Sequence, residues 1–196
     1  MPDQRLRNVI DQDIDFARLA PVLRVLLLTD GTVTHSLAAY FAEDIEVRCL
    51  RQVRRPLTPA ESLQLPIADG AAEKGAAADG VVIEREVLLL GCTSGTAYAH
   101  AYSTIRTDLL DPAIQDLLDS AGTGIGELLS ARNLETYREI IHIGFCDYNA
   151  GQSDPFLPFT NAPVGPVIAR DYLIRSRGKA VIKVREEFPL FVYGSR

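Results

Sequence analysis

Apolar and polar positions alternate along this chain in two rhythms, and the two-residue rhythm dominates. Ile45, Val47, Cys49, Arg51 and Val53 alternate with Glu46, Arg48, Leu50 and Gln52, which predicts a strand that grows more polar toward its end. Residues 81–90 and 97–106 read as a second and a third strand joined by a turn over 91–96, and residues 137–148 alternate as a fourth. The last two, 166–175 and 179–190, flank Ser176, Arg177 and Gly178, a short hairpin connection whose glycine can take a positive φ. Helical spacing appears at Phe16, Leu19, Ala20, Leu23, Leu26 and Leu27, with Pro21 as the point where this stretch divides. Thr29-Asp30-Gly31-Thr32 is a turn and cap signal that opens a second short helix over 33–41. Residues 112–118, capped by Asp111, and residues 124–129 read as further short helices, and residues 150–163 as a long loop. About six strands with short helices between them, and no βαβ alternation, predict an α+β fold built on an antiparallel sheet.

Length and composition keep this to one domain. A chain of 196 residues, 47% hydrophobic and 23% charged, is expected to form a single unit over 1–196, with 1–15 as a polar N-terminal extension. Residues 54–80 carry Pro56, Pro59, Pro66 and an Ala/Gly-rich run, and read as an internal flap or linker. A formal charge of −6 and a pI near 5.1 argue against a nucleic-acid partner, and Arg48, Arg51, Arg54 and Arg55 read as a solvated strand face. Cys49, Cys92 and Cys146 are odd in number and lack ligand spacing, so they read as small buried residues of a reducing compartment; a nucleophilic cysteine would need His35, His100 or His142 beside it. The N-terminus lacks the order of a signal peptide and no apolar run approaches a membrane span. The expectation is a cytoplasmic protein without a metal site, bound to neither nucleic acid nor membrane, as a monomer or weak homodimer.

Two charges break the strand pattern. Residues two apart in a strand share a face, so Arg85 stands in the row Val81, Ile83, Val87, Leu89, and Glu186 in the row Ile182, Val184, Phe188, Leu190. A charge turned into an apolar row must meet an opposite charge, a ligand or trapped water. One reading is a structural Arg85–Glu186 salt bridge inside the sheet. The other is a pocket for a small anionic molecule, with Arg85 gripping a carboxylate and Glu186 accepting a hydrogen bond from a hydroxyl at the far end of the ligand.

At these residues the chain resembles the chorismate pyruvate-lyases, including a bacterial branch that makes 4-hydroxybenzoate for secondary lipids. The resemblance runs from about Leu19 to Phe191 and rests on LLLTDGTVT over 26–34, REVLL over 85–89, IGE over 125–127, RDY over 170–172 and VREEF over 184–188. It implies an antiparallel sheet whose helical flaps close over a buried ligand, with no metal or organic cofactor. It also implies a product held by Arg85 and Glu186 and by backbone or apolar contacts at Val33 and Ile125. Val33 stands where methionine or leucine is usual, Ile125 where leucine is usual, and Gly124 where proline is common.

The reaction so implied is elimination of pyruvate from chorismate to give 4-hydroxybenzoate, with Arg85 and Glu186 as the catalytic pair. Arg85 holds the ring carboxylate, Glu186 handles the proton near the ring oxygen, and Arg170, on the face of Ile168, Tyr172 and Ile174, is a candidate for the pyruvyl carboxylate. The altered Val33 and Ile125 also suit a lyase-fold enzyme recruited as a cyclase or dehydratase on a larger intermediate. A third reading is a ligand-sensing module of the kind found in transcription regulators, although 15 residues before Phe16 are too few for a DNA-binding domain.

Overall fold

The computed structural model describes residues 8–65, 80–110, 115, 118, 124–126, 135–146, 155–159 and 165–194. Six strands carry the fold: β1 (Ile45–Pro56), β2 (Val81–Gly91), β3 (Ala97–Arg106), β4 (Thr136–Cys146), β5 (Val167–Ser176) and β6 (Lys179–Pro189). They form one antiparallel sheet in the order β1-β2-β3-β6-β5-β4, so two three-stranded halves meet where β3 pairs with β6.

The short helices begin where the chain chemistry starts them. Helix α1 (Pro21–Leu28) opens with Pro21 in its first turn, where a missing N–H costs nothing, and a separate 3-10 turn covers Phe16–Arg18. Helix α2 (Val33–Phe41) follows the Thr29–Thr32 turn and ends at Ala42, whose φ of 54° stops it. Between β5 and β6 both Arg177 and Gly178 have positive φ, 50° and 77°, the type I′ geometry that matches the twist of a tight hairpin.

Several expectations change. The 54–80 flap is shorter than predicted: β1 continues to Pro56, and α3 (Pro59–Gln64) follows, capped by Thr58 and Glu61 in a reciprocal capping box. Residues 66–79 lie outside the described residues, as do most of the 112–118 and 124–129 helices and of the 150–163 loop; Gln115, Leu118, Ile125 and Gly126 are helical where described. The N-terminal extension packs from Val9 onward, because Ile10 bridges Ile143 in parallel and Ile14 is buried. The cysteines are not core residues: Cys92 is exposed and Cys49 and Cys146 are half-buried.

One face of the sheet bears the helices and holds two apolar clusters. The first joins α1 and α2 to Leu89, Ala99, Ile143, Ile168 and Phe188. The second gathers Ile83, Ile105, Tyr172, Ile174, Ile182 and Val184 with Leu118. Between them runs a seam of polar and small residues: Arg85, Ser103, Ala101, Glu186 and Arg170 lie on neighbouring strands at this level.

The opposite face carries the charges that alternation assigns to it. Glu84 bonds Arg55 at 2.8 Å and accepts from Tyr102, and His100 stands between Glu187 (2.8 Å) and Glu86 (3.0 Å). Arg185 bridges Glu187 and Asp171, and His142, half exposed, joins Asp171 to Asp11. No described helix is long and apolar enough to cross a membrane.

Candidate active site

The seam opens into a partly enclosed cavity between the sheet, the first turn of α2 and residues 124–126. Its volume is about 60 Å³, well above the minimum that admits water or a ligand group. Ala101 and Ser103 make this space, since they are small where the neighbouring row positions are Ile105 and Leu89. Val33, Arg85, Ile125 and Glu186, named from the sequence for the site, all line it.

Arg85 enters from β2 and is 2% exposed. Burial pulls its guanidinium below the ordinary arginine value, an effect partly offset by the neighbouring Cys49 sulfur, and it stays charged as arginines in proteins do. Glu186 enters from β6, two strands away and two residues along: Arg85 pairs with Ser103 and Ser103 with Val184, while Ala101 pairs with Glu186. Two strand spacings and one two-residue step put the two Cα atoms roughly 12 Å apart, leaving room for a ring between the head groups.

Among the described residues, an ion pair in this seam joins Glu186 to Arg170. The two residues lie directly opposite on β6 and β5, and Arg170 Nε donates to Glu186 Oε2 at 2.7 Å. Tyr172 donates its hydroxyl to Oε1 at 3.0 Å, so both carboxylate oxygens are engaged. Burial, reinforced by Glu186, pushes the Tyr172 phenol well above its usual value and keeps it a donor. Arg170 is fully buried, donates a second bond to Thr29 O at 2.7 Å, and lies behind Glu186 instead of on the cavity wall. The structure therefore brings Arg170 to the site as the support of Glu186, a different place from the ligand contact expected of it.

The helix-borne residues supply walls. Thr32, Val33 and Thr34 face the cavity with the first turn of α2, whose backbone N–H groups are of the kind that attracts an anion. Ile125 is half-buried on the opposite wall beside Gly124 and Gly126.

Sequence reading missed two residues at this site. Arg138 of β4 lines the cavity, and Tyr172, known only as a face-mate of Arg170, is a hydrogen-bond partner of Glu186. Gln52 also joins this face, opposite Arg85, because a bulge between Cys49 and Arg51 reverses the alternation of β1. The nucleophilic-cysteine reading finds no support at Cys146, where burial and the Glu187 carboxylate push the thiol up to about 11.

An antiparallel sheet covered on one face by short helices, with a pocket opened in that face, makes this an α+β domain of the chorismate lyase-like class. The chain belongs to the family described as chorismate pyruvate-lyase Rv2949c-like, whose sequence model matches residues 27–193. It is 31% identical over 170 residues to the chorismate pyruvate-lyase of Mycobacterium leprae, covering 85% of this chain and 73% of that one. The chorismate pyruvate-lyase of Mycobacterium tuberculosis strain H37Rv is 27% identical over 184 residues, 90% of this chain and 83% of that one. Among solved structures, PhnF from Mycobacterium smegmatis superposes with a TM-score of 0.60 at 12% identity, covering 83% of this chain; the chain spans 65% of that protein's length. The isolated effector domain of PhnF gives 0.58 at 11% identity, over 83% of this chain and 90% of that one. These two likenesses define the fold alone.

Proposed function

We propose that this enzyme eliminates pyruvate from chorismate and forms 4-hydroxybenzoate. The observation that carries the proposal is the pairing of a buried arginine at one end of a ring-sized cavity with a fully engaged glutamate at the other. The names of the family and of its mycobacterial relatives support the same substrate.

The chemistry asks little more of the protein. Breaking the bond between the ring and the ether oxygen releases enolpyruvate, which becomes pyruvate, while the ring loses one proton and becomes aromatic. Aromatisation supplies driving force, so the protein has to orient a dianion and steady the charge growing on the leaving oxygen. Arg85 receives the ring carboxylate. Glu186 accepts from the ring hydroxyl and lies at the end of the cavity where the ring proton departs, with Arg170 and Tyr172 fixing its rotamer. The first turn of α2 offers N–H groups to an anion at the rim.

Purified protein incubated with chorismate is expected to release 4-hydroxybenzoate, followed by chromatography. Arg85→Ala and Glu186→Gln are each expected to lower kcat/KM by roughly a hundredfold or more, the scale of a lost charged contact in a water-poor site. Intact chorismate after prolonged incubation with wild type would refute the assignment.

A further inference from the structure

We infer that Arg138 is the receptor for the second carboxylate of the substrate, an inference that rests on the dianionic substrate proposed above. Arg85 and Arg138 are the two cationic side chains among the described residues lining the cavity. Chorismate carries two carboxylates, one on the ring and one on the enolpyruvyl arm, whereas 4-hydroxybenzoate carries one. A site built for the product alone has use for one arginine.

The register puts Arg138 on the cavity side. Ile140 pairs with Tyr172 and Arg138 with Ile174, both cavity-side residues of β5, and Ile174 continues through Ile182 and Ile105 to Ile83 on β2. Arg138 is thus four strands from Arg85 and one two-residue step along. Four strand spacings amount to roughly 19 Å between backbones, and both side chains line the one cavity that lies between them. Arg170, the residue for which the sequence argued, also has a buried N–H without a partner, Nη2, but its charge is neutralised by Glu186, it is tied to Thr29 O, and it does not line the cavity.

The guanidinium of Arg138 is held without being neutralised by any described residue. Nη1 donates to the carbonyl of Asp30, in the turn before α2, and the group lies 6.0 Å from the Tyr172 ring centroid. Nε is buried and has no hydrogen-bond partner among the described residues. No carboxylate of a described residue forms an ion pair with it, in contrast to Arg55, Arg106, Arg170, Arg175 and Arg185. Gly126 leaves the space it occupies: a Cβ there would come within 3.2 Å of Nη2 and 3.1 Å of the Thr32 side chain. A buried N–H with no acceptor on a charged group is costly unless something arrives to take it, and a carboxylate does so with full charge.

This division of labour has a consequence for the products. Once the carbon–oxygen bond breaks, the ligand held by Arg85 and the ligand held by Arg138 are separate molecules. Each then keeps one strong contact.

The experiment compares ligands with one and two carboxylates on the same variants. Arg138→Met is expected to raise KM for chorismate by roughly 10–100-fold, the scale of one charged hydrogen-bond pair, and Arg138→Lys is expected to recover part of it. The same loss should appear in the affinity for the inert ether 3-(1-carboxyethoxy)-4-hydroxybenzoate, measured by calorimetry. Affinity for 4-hydroxybenzoate should stay within about twofold of wild type by this reasoning. Equal weakening of both ligands by Arg138→Met and by Arg138→Lys would assign Arg138 a purely structural role and overturn the inference, as would an unchanged KM for chorismate. If wild type leaves chorismate intact, the proposed reaction fails, while the comparison of the one-carboxylate and two-carboxylate ligands still decides the role of Arg138.

Discussion

Arg170 and Glu186 face each other across adjacent strands with 2.7 Å between Nε and Oε2, and both are buried. Removing one member leaves the other as an uncompensated buried charge. Arg170→Met alone is expected to lower unfolding stability by about 3–5 kcal/mol in urea titrations, and the double change Arg170→Met with Glu186→Leu to recover most of that loss while remaining inactive. Activity retained in the double variant would dissociate Glu186 from the reaction.

Tyr172 provides a finer probe, since it holds the second oxygen of Glu186 and its phenol stays protonated. Tyr172→Phe keeps the ring and deletes one hydrogen bond, for an expected stability loss of about 1–2 kcal/mol. The proposal expects kcat to fall roughly tenfold with KM nearly unchanged, because the carboxylate is less well oriented in the transition state. A change confined to KM would indicate that Tyr172 acts on binding instead.

The cavity exists because Ala101 is small. Ala101→Ile should fill it, abolish binding of 4-hydroxybenzoate and leave the melting temperature level or slightly raised, since an unoccupied space is being filled. A melting temperature that drops by many degrees would mean that the space is already packed.

How much of this was visible in the order of residues depended on strand regularity. Arg85 and Glu186 were legible because β2 and β6 keep strict alternation around them. Arg138 and Gln52 were hidden by the bulges between Ile140 and His142 and between Cys49 and Arg51, each of which reverses the faces on one side of it. Periodicity assigns faces and leaves register open, so it offered Arg85 as partner for Glu186, whereas pairing of β5 with β6 brings in Arg170. The missed α3 is a different case: Thr58, Pro59 and Glu61 spell a capping box, and the surrounding prolines masked it.

Acid should loosen the turn that Glu43 holds between β2 and β3. Glu43 accepts from Tyr98, from the Thr93 and Ser94 backbone N–H groups and from the Ser94 hydroxyl, clamping the turn between β2 and β3. The Tyr98 hydroxyl foremost, and then Ser94, lower its pKa from 4.5 to about 2. A carboxylate depressed in the folded state stabilises fully above its unfolded value and loses that contribution as pH falls through its folded one. The melting temperature of Glu43→Gln should therefore lie below that of wild type above pH 4.5, with the gap closing toward pH 2. A gap that is constant with pH would remove the carboxylate from the explanation.

The order of the strands has a consequence for how the enzyme comes into being. Hairpins β2–β3 and β5–β6 join residues near in sequence, but the seam between Arg85 and Glu186 crosses the joint where β3 meets β6, which closes a loop of about eighty residues. Local hairpins form early and long loops close late. During refolding, strand signals should rise before ligand binding does, so the site works as a clock for the last long-range pairing of the chain.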